Sequence, residues 1–280
     1  MLVNFRDILK EAYRGKYAVG AFNGYNYETF KAIIDAGAES KRPVILAFGA
    51  KYLRNMSLET AYALAQSLAA ESSLPVCLHL DHCSDMDTVF QAIRAGFGSV
   101  MYDGSALPFE ENVRNTQLVC KIAHACGVSV EAELGCLAAG DRSHEGSATD
   151  VELYTEPVAA KRFVEATQVE ALAVSVGTVH GLYKQEPNLR FDILDTINKQ
   201  LAVPLVLHGG SGLDGEDILR CISLGIAKIN VNTEISVYAV EQTAKLLTEK
   251  QPHLSELSLN QLEYVKDIVK KYIAYFSQTA

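Results

Sequence analysis

Short apolar runs alternate with longer stretches of helical periodicity along nearly the whole chain. The apolar runs are rich in β-branched residues and mostly continuous, as expected of strands that are covered on both faces. Each is therefore predicted to be a strand of a parallel sheet. The eight predicted strands are Tyr17–Phe22, Pro43–Phe48, Val76–Leu80, Ser99–Asp103, Ser129–Leu134, Ala171–Val176, Pro204–Leu207 and Lys228–Val231.

Amphipathic segments separate these strands, and several begin at Ser, Asp or Pro and end near Gly, the usual boundary residues of helices. Eight strands and seven or eight helices in about 250 residues are the number expected of a (β/α)8 TIM barrel of the α/β class. A doubly wound sheet is the alternative, although it seldom contains eight strands. The predicted helices include Tyr27–Ser40, Ser57–Ala70, Asp85–Ala95, Pro108–Cys126 and Pro157–Ala166.

Further helical segments flank the predicted barrel. Val3–Tyr13 precedes the first strand and is expected to close the N-terminal end of the barrel. Glu234–Lys250 and Leu259–Phe276 form a helical extension over about residues 234–280, and its second helix is suited to packing or to oligomer contact. No repeat, charge run or Pro/Gly-rich linker divides the sequence, so we expect residues 1–280 to form a single barrel domain. Gly135–Glu156 is the longest stretch without periodicity, and loops of that length are usually functional lids or mobile segments.

Composition and charge restrict the class of protein. Hydrophobic residues make up 49% and charged residues 21% of the 280 residues, with 7 Pro and 19 Gly, which excludes collagen-like, low-complexity and disordered chains. The net charge of -9 argues against nucleic acid or an anionic membrane as a partner, although it permits a local basic pocket. No apolar stretch is as long as a membrane-spanning helix and the first residues lack a secretory signal, so we expect a cytoplasmic protein. The six scattered cysteines are interpreted as free thiols.

Three histidines stand at the ends of predicted strands, where the active-site residues of TIM barrels lie. His82 follows strand three, His180 follows strand six and His208 follows strand seven. Three imidazoles that converge from strand ends supply the protein ligands of an open catalytic zinc site and leave one position for substrate. Singly, each could be a hydrogen-bonded loop histidine. Together, in a chain with 7 histidines, they predict a metal centre.

The loops after strands seven and eight have the features of a phosphate site. The first reads His208-Gly-Gly-Ser-Gly212 and the second reads Asn230-Val-Asn-Thr233. In TIM barrels these loops form the recurrent phosphate site, where backbone N–H groups, hydroxyls and a helix N-terminus meet the anion. Tight turns also explain glycines of this kind. Because both loops occupy the expected positions, with Ser211 and Thr233 as hydroxyl donors, we predict that they bind phosphate.

Four carboxylates accompany the histidines. Asp81 directly precedes His82, so it can exchange a proton with a metal-bound substrate; the alternative role is to orient a histidine. Glu131 and Glu133 share strand parity and therefore point to the same face of the sheet. With Asp103 they could hold a second cation, and structural ion pairing explains them nearly as well.

These residues lie in five motifs that resemble those of the class II, metal-dependent ketose-bisphosphate aldolases, the family of fructose- and tagatose-bisphosphate aldolases. The resemblance extends from about residue 3 to residue 250, with the motifs in the family's order and spacing. The motifs are Leu80-Asp-His82, Val130-Glu-Ala-Glu-Leu-Gly135, Gly177-Thr-Val-His-Gly181, Leu205-Val-Leu-His-Gly-Gly-Ser-Gly212 and Lys228-Ile-Asn-Val-Asn-Thr-Glu234.

The resemblance implies a (β/α)8 barrel that reversibly cleaves fructose 1,6-bisphosphate or tagatose 1,6-bisphosphate to dihydroxyacetone phosphate and an aldehyde, through a zinc-stabilised enediolate. It implies that His82, His180 and His208 are the zinc ligands, and that Asp81 is the acid/base that serves the aldehyde oxygen. Family members are commonly dimers or tetramers, so the resemblance implies a homodimer or homotetramer. Many also bind a monovalent cation near the phosphate loops.

The family motifs also assign the remaining site residues. Asp103 and Glu133 match positions where some members hold an alternative or second metal ion. The residues that match the cradle for dihydroxyacetone phosphate are Gly181, Gly209, Gly210, Ser211, Asn230, Val231, Asn232 and Thr233.

One segment departs from the family pattern. After strand five, the family usually continues through a Gly-Gly pair into an acidic pair, one member of which removes the proton from dihydroxyacetone phosphate. Here the loop reads Gly135-Cys-Leu-Ala-Ala-Gly-Asp-Arg-Ser-His-Glu-Gly146. The base is assigned to Glu145, with Asp141 as the alternative. Because this loop also covers the aldehyde half of the substrate, the departure bears on which sugar is used, and Arg142 or His144 could meet a different anionic group.

Other functions fit parts of the sequence. An aldolase of the same family could act on another phosphorylated ketose or on a sugar acid. A Schiff-base aldolase would use Lys228, the one lysine on a predicted strand. Metal-dependent hydrolases usually carry a His-x-His pair after strand one, where this chain has Phe22-Asn-Gly-Tyr25. A non-catalytic sugar-phosphate-binding protein is a further alternative, and the intact Asp81 argues against it.

Overall fold

The computed structural model describes residues 1–143 and 153–278. Strands and helices alternate along these residues, and a short 3-10 helix at Ala50–Arg54 follows the second strand. The strands are β1 (Val19–Asn23), β2 (Val44–Gly49), β3 (Val76–Cys83), β4 (Ser99–Tyr102), β5 (Ser129–Leu134), β6 (Ala138–Ala139), β7 (Ala171–Val174), β8 (Val179–His180), β9 (Leu205–Leu207) and β10 (Ile226–Val231). The helices are α1 (Phe5–Gly15), α2 (Tyr27–Ser40), α3 (Leu58–Glu71), α4 (Met86–Ala95), α5 (Phe109–Ala125), α6 (Pro157–Thr167), α7 (Phe191–Gln200), α8 (Gly215–Ser223), α9 (Thr233–Glu249) and α10 (Leu254–Phe276).

Eight of these strands close into a parallel barrel, in the order β1-β10-β9-β7-β5-β4-β3-β2. The predicted (β/α)8 barrel is therefore confirmed, although the ends of every barrel strand except β5 differ from the predicted ones by one to three residues. The sequence pattern predicts a sixth strand that reaches Val176, but β7 ends at Val174. The N–H of Ser175 donates to the Thr155 hydroxyl at 2.8 Å rather than to a neighbouring strand, which ends the ladder there. β10 begins earlier than predicted, at Ile226.

α1 closes the N-terminal end of the barrel, as the sequence predicts. Its apolar face packs with strand side chains inside the barrel, and a larger core lies between the strands and the outer helices. The inner core fills the N-terminal part of the barrel, and the polar residues that end the strands lie at the opposite end, where TIM barrels carry their active sites. The inner core comprises Phe5, Ile8, Leu9, Ala12, Val19, Ala21, Ile45, Cys77, Ala171, Ala173, Val206 and Ala227.

The C-terminal helices return to the barrel. α10 packs against α2, α8 and α9, and the carbonyl oxygen of its last residue, Phe276, accepts the N–H of Ala18 at 2.9 Å. It begins at Leu254 rather than at the predicted Leu259, because the His253 side chain caps it by accepting the N–H of Ser255. α10 is therefore an outer helix of the barrel. In the described ranges, no helix combines the length and the apolar character needed to cross a membrane.

Candidate active site

Asp81 and His82 are neighbours on β3, and regular strand geometry would point their side chains to opposite faces. The pairing with β4 is irregular here, because three residues of β3 after Leu80 span two residues of β4. This bulge gives His82 a left-handed backbone with a φ of 42°. Both side chains can therefore face the mouth of the barrel, a result that the strand pattern alone does not predict.

The three predicted metal-ligating histidines converge at this mouth. His82, His180 and His208 offer ring nitrogens that all lie within 4.8 Å of one another. Nε2 of His82 lies 2.7 Å from Nδ1 of His208, and the two ring centroids are 4.4 Å apart. The ring of His180 lies edge-on to that of His82, with centroids 4.9 Å apart. The structure thus brings together side chains from three separate segments of the chain.

A carboxylate binds the outer nitrogen of two of these rings. Asp103 Oδ2 lies 2.9 Å from Nδ1 of His82, and Glu131 Oε1 lies 2.9 Å from Nε2 of His208. Burial alone would raise the pKa of both carboxyls. The hydrogen bond and charge of His82 nevertheless lower the pKa of Asp103. Lys228 and then His208 lower the pKa of Glu131 to about 2. Both groups are therefore ionised and only accept hydrogen bonds, so each outer ring nitrogen carries its hydrogen.

The facing nitrogens of the two rings are consequently the lone-pair atoms of their neutral tautomers. Two lone pairs 2.7 Å apart repel each other unless a cation lies between them. A proton can take this position: burial opposes it, but the Asp103 hydrogen bond and the Asp81 charge raise the pKa of His82 above its ordinary value. A metal ion meets the same requirement, and carboxylate–histidine pairs of this kind orient metal ligands in proteins.

His180 completes the set of donors. Its side chain is 7% exposed, and neither ring nitrogen has a hydrogen-bond partner among the described residues. Burial, together with the charges of His82 and His208, lowers the pKa of His180 well below its ordinary value, so the imidazole is neutral. A buried, neutral imidazole beside two oriented ones fits a ligand of zinc with an open fourth position.

His180 reaches the site by a route that differs from the prediction. The sequence pattern places it at the tip of strand six, whereas it lies in the separate strand β8, well beyond the end of β7 at Val174. β8 pairs with β6 in the loop after β5, with Ala139 opposite His180. The N–H of Gly140 also donates to the His180 carbonyl oxygen at 2.6 Å. The loop that follows strand five therefore positions this candidate ligand.

Asp81 is buried and bound by two amides. Nδ2 of Asn23 donates to its Oδ2 and Nδ2 of Asn230 donates to its Oδ1, both at 3.0 Å. Burial opposes ionisation, but the charges of His82 and Lys228 lower the pKa of Asp81 below its usual range. The result is an ionised carboxylate beside the three histidines, able to accept a proton. The strand pattern misses Asn23; its position directly after the first apolar run is the signal that could have found it.

Glu133 contributes to a second cluster of ligand atoms. Its carboxylate, the Asp103 carboxylate and a His82 nitrogen lie within 4.8 Å of one another. Burial and then the charge of Asp103 raise the pKa of Glu133 to about 8. Its Oε2 has no hydrogen-bond partner in the part of the chain that the structure describes. This geometry is compatible with the predicted alternative or second metal position, and His82 belongs to both clusters.

The two predicted phosphate loops meet beside the histidines. The N–H of Gly210 donates to the Asn230 carbonyl oxygen at 3.0 Å, and the N–H of Glu234 donates to the Ser211 hydroxyl at 3.3 Å. α9 begins at Thr233, directly after the second loop. Its first N–H groups and the positive end of its dipole therefore lie where the sequence predicts an anion.

The remaining predicted cradle residues differ in what they can offer a ligand. Val231 is fully buried, and its side chain packs in the outer core, so only its backbone is available. Asn232 donates through Nδ2 to the Tyr52 hydroxyl at 3.0 Å. Gly181 and Gly209 both have positive φ angles, of 109° and 73°. They allow the loop that carries His180 to pass close to its neighbours.

Comparison with known proteins agrees with this arrangement. A family model described as Fructose-bisphosphate aldolase class-II matches residues 3–280. The chain belongs to the class II fructose-bisphosphate aldolase family. Over 276 residues it is 39% identical to the sulfofructosephosphate aldolase of Alkalicoccus urumqiensis, an alignment that covers 98% of this chain and 96% of that protein. Over 256 residues it is 43% identical to the fructose-bisphosphate aldolase of Geobacillus stearothermophilus, with 90% and 88% covered.

Solved structures show the same relationship. The crystal structure of the YdjI aldolase from Escherichia coli K12 has a TM-score of 0.88 to this chain at 36% identity, and covers 100% of this chain and 99% of that one. Membership of this family supports the conclusion that the protein is an aldolase, a lyase of carbohydrate metabolism.

Of the two candidates for the lid base in this class II family member, one lies among the described residues. Glu145 lies outside the described residues. Asp141, the alternative, is exposed, and its N–H donates to the Leu182 carbonyl oxygen at 2.9 Å. Asp141 therefore lies on the loop that pairs with the His180 segment, and the assignment of the base stays a prediction.

Lys228 does not have the surroundings of a Schiff-base lysine in this family member. It is fully buried, and its Nζ lies 2.8 Å from Oε2 and 3.0 Å from Oε1 of Glu131. A Schiff-base lysine must present a neutral amine to the substrate. Lys228 is instead the positive partner of the carboxylate that binds His208.

Replacement of Lys228 by Met is expected to destabilise the metal-free protein by about 3–5 kcal/mol, because it leaves the buried Glu131 carboxylate without a compensating charge. Denaturant unfolding followed by circular dichroism measures the change. The double variant Lys228→Met/Glu131→Gln should recover much of the loss, since neither buried charge is then left. A single variant as stable as the parent would contradict this account of the pair.

Gly209→Ala is expected to destabilise the protein by about 3 kcal/mol and to weaken zinc binding. An added Cβ would lie 2.2 Å from the carbonyl oxygen of Val179, the residue before His180. Gly127 is a matched control, because its φ is also 73° but an added Cβ meets nothing within 4 Å. Gly127→Ala should cost only about 1 kcal/mol. Thermal and denaturant unfolding measure the stability of both variants. If the two variants lose the same stability, backbone strain and not the close approach determines the effect.

Proposed function

We propose that the protein is a zinc-dependent class II aldolase that reversibly cleaves a phosphorylated ketose into dihydroxyacetone phosphate and an aldehyde. The observation that carries the proposal is the convergence of His82, His180 and His208, whose ligand nitrogens lie within 4.8 Å of one another, beside the ionised Asp81; neither His180 nitrogen has a hydrogen-bond partner among the described residues. This arrangement has the donor set of an open zinc site and places a proton acceptor next to it. A Schiff-base aldolase requires neither feature.

His82, His180 and His208 would hold the zinc ion, and Asp103 and Glu131 would orient two of the rings. When bound, zinc supplies Lewis-acid polarisation of the ketone oxygen, which makes a proton on the neighbouring carbon removable near neutral pH. The lid carboxylate would accept that proton. We assign this role to Glu145, with Asp141 as the alternative.

Asp81 would serve the aldehyde oxygen. During cleavage its carboxylate accepts the hydroxyl proton as the carbon–carbon bond breaks, and during condensation it returns that proton to the oxygen. Asn23 and Asn230 bind both of its oxygens and therefore fix the carboxylate in one orientation. The low pKa of Asp81 keeps it in the ionised form that cleavage requires.

The phosphate would bind between Gly209–Ser211 and Asn230–Thr233, with Gly181 at the edge of the same site. In a chain of net charge -9, backbone N–H groups, hydroxyls and the α9 dipole provide the local attraction for the anion. Because the phosphate is the end of the substrate that does not react, its binding supplies orientation for the chemical step. A monovalent cation near these loops and a second divalent cation beside Glu133 belong to the same proposal.

Fructose 1,6-bisphosphate and tagatose 1,6-bisphosphate are the first candidate substrates. They share the dihydroxyacetone phosphate half and differ in the configuration of one hydroxyl in the other half. The Alkalicoccus urumqiensis relative, named a sulfofructosephosphate aldolase, adds a sulfonated ketose phosphate as a third candidate. The altered loop after β5 would cover the half in which these sugars differ.

Proton exchange tests the reaction class without knowledge of the aldehyde. The zinc-loaded protein is incubated with dihydroxyacetone phosphate in D2O, and the hydroxymethyl signal is followed by proton NMR. We expect exchange with zinc, none after chelation, and recovery when zinc is added back. Exchange that survives complete metal removal would refute the zinc mechanism, and binding without exchange would favour a sugar-phosphate-binding protein. A retro-aldol screen of phosphoketoses, reading release of dihydroxyacetone phosphate, then identifies the sugar.

We further infer a cytoplasmic homodimer or homotetramer. The six cysteines all lie among the described residues and form no disulfide there, which suits a reducing compartment. Apolar side chains lie exposed on α9 and on the first part of α10, and a second copy of the chain could cover them. Sedimentation velocity measures the assembly. These exposed residues are Val240 at 65%, Leu247 at 49%, Leu254 at 75% and Leu259 at 64%.

A further inference from the structure

α10 reaches the phosphate loops through one side chain, that of Tyr272. The Tyr272 hydroxyl accepts the N–H of Gly212 at 3.2 Å and donates to Oε2 of Glu234. Its ring is buried and lies 5.6 Å from the ring of Phe276, measured between centroids. Tyr272 therefore joins the C-terminal helix both to the loop after β9 and to the first turn of α9.

These contacts form a closed hydrogen-bond network around the two loops. The N–H of Glu234 donates to the Ser211 hydroxyl oxygen at 3.3 Å, while its carboxylate accepts from Tyr272. Tyr272 in turn binds Gly212, which follows Ser211 and has a left-handed φ of 80°. The Ser211 oxygen accepts a hydrogen bond within this network, so its hydroxyl hydrogen can be donated to a further acceptor. A phosphate oxygen would be such an acceptor.

Glu234 places a negative charge close to the predicted anion. It lies in the first turn of α9, where the positive end of the helix dipole attracts a phosphate. An uncompensated carboxylate at this position would repel that phosphate. Tyr272 donates to the Glu234 carboxylate, and Nζ of Lys271 lies 3.6 Å from its Oε1. Lys271 therefore partly neutralises this acidic side chain, and Tyr272, the next residue of α10, holds it by a hydrogen bond.

We propose that Tyr272 is a positioning residue for the substrate phosphate: from α10 it holds Gly212 and Glu234 so that Ser211 and the N-terminus of α9 can bind the anion. The inference rests on the proposed function, which takes dihydroxyacetone phosphate as the ligand of these loops. It extends the site to the C-terminal helix, beyond the strand-end motifs. Tyr272 acts through its two partners rather than by contact with the substrate.

The variant Tyr272→Phe removes the hydroxyl and keeps the buried ring. We expect the Kd of dihydroxyacetone phosphate for the zinc-loaded protein, measured by calorimetry, to rise about tenfold. The KM in the exchange reaction should rise by a similar factor, with kcat close to that of the parent. With dihydroxyacetone, which lacks the phosphate, the exchange efficiency should equal that of the parent, because the lost contact acts on the phosphate alone. Zinc content and the thermal unfolding midpoint report on the fold.

Tyr264→Phe is the matched control, because Tyr264 lies partly buried on the same helix and outside the network. This variant should bind dihydroxyacetone phosphate and exchange both dihydroxyacetone phosphate and dihydroxyacetone as the parent does. Unchanged affinity of Tyr272→Phe for dihydroxyacetone phosphate would overturn the inference. An equal loss of exchange efficiency with dihydroxyacetone phosphate and with dihydroxyacetone would also overturn it, because it indicates a general structural role. A parent protein that neither binds nor exchanges dihydroxyacetone phosphate would instead refute the proposed function on which the inference rests.

Discussion

Asp81→Ala is expected to reduce aldol cleavage by about 1,000-fold or more while zinc binding and proton exchange of dihydroxyacetone phosphate stay near the level of the parent. Asp81 is assigned to the aldehyde oxygen, which takes part only when the carbon–carbon bond forms or breaks. Exchange of the hydroxymethyl proton precedes that step and uses the lid base. Release of dihydroxyacetone phosphate from the ketose measures the first rate, and NMR in D2O measures the second.

The amides around Asp81 sharpen this test. Both of its oxygens accept from amide N–H groups, so Asp81→Asn would place an amide donor against the donor of Asn23 or Asn230. We expect this variant to be as inactive in cleavage as the alanine variant, in spite of its similar shape. Asp87→Ala, an exposed carboxylate in the first turn of α4, is the control and should retain activity. Equal losses of cleavage and exchange in Asp81→Ala would show that Asp81 supports the metal centre or the fold instead.

The barrel could be predicted from the sequence because its strands and helices are each specified by residues close together in the chain. Each continuous apolar run reports burial on both faces within a few residues, and each helix is bounded by residues that favour its ends. The same locality explains why His82 and His208 meet. Residues at the carboxyl ends of barrel strands lie at one face whatever lies between them, so strand order alone brings these two together.

The rest of the site depends on side-chain direction and on contacts between distant segments. The bulge at His82 reverses the facing that the strand period predicts, and it is visible only in the pairing with β4. His180 is positioned by β6, which two residues of unremarkable sequence form. Parity places Glu131 on the same face as Glu133, but its contacts with Lys228 on β10 and with His208 after β9 depend on the tertiary fold.

The contribution of α10 is the clearest case of information that no local pattern contains. The sequence places Tyr272 on a predicted helix suited to packing, and packing alone explains a buried tyrosine. Its role follows only from the position of its hydroxyl between Gly212 and Glu234. Long-range contacts of this kind are fixed by the tertiary fold and leave no spacing rule in the sequence.

His82→Ala is expected to remove zinc binding, with an affinity loss greater than about 100-fold, because even the loss of a residue that orients a ligand costs about 10–100-fold. His82 belongs to both clusters of ligand atoms, the one with His180 and His208 and the one with Asp103 and Glu133. Its loss therefore disables both, and cleavage and exchange should fall to background together. Competition with a chromophoric chelator measures the affinity.

The effect on stability distinguishes the two clusters. Zinc at about 1,000 times its Kd should stabilise the parent by about 4 kcal/mol, and this increase should disappear in His82→Ala. His180→Ala removes a ligand from the first cluster only, so a weaker zinc-dependent rise in Tm should persist through the second. Glu133→Gln should keep the full rise, because it leaves the three histidines intact. His124→Ala is the control, since that partly exposed ring on α5 pairs with Glu170 at 3.0 Å, away from the site. Zinc-dependent stabilisation of His82→Ala equal to that of the parent would mean that neither cluster holds the catalytic ion.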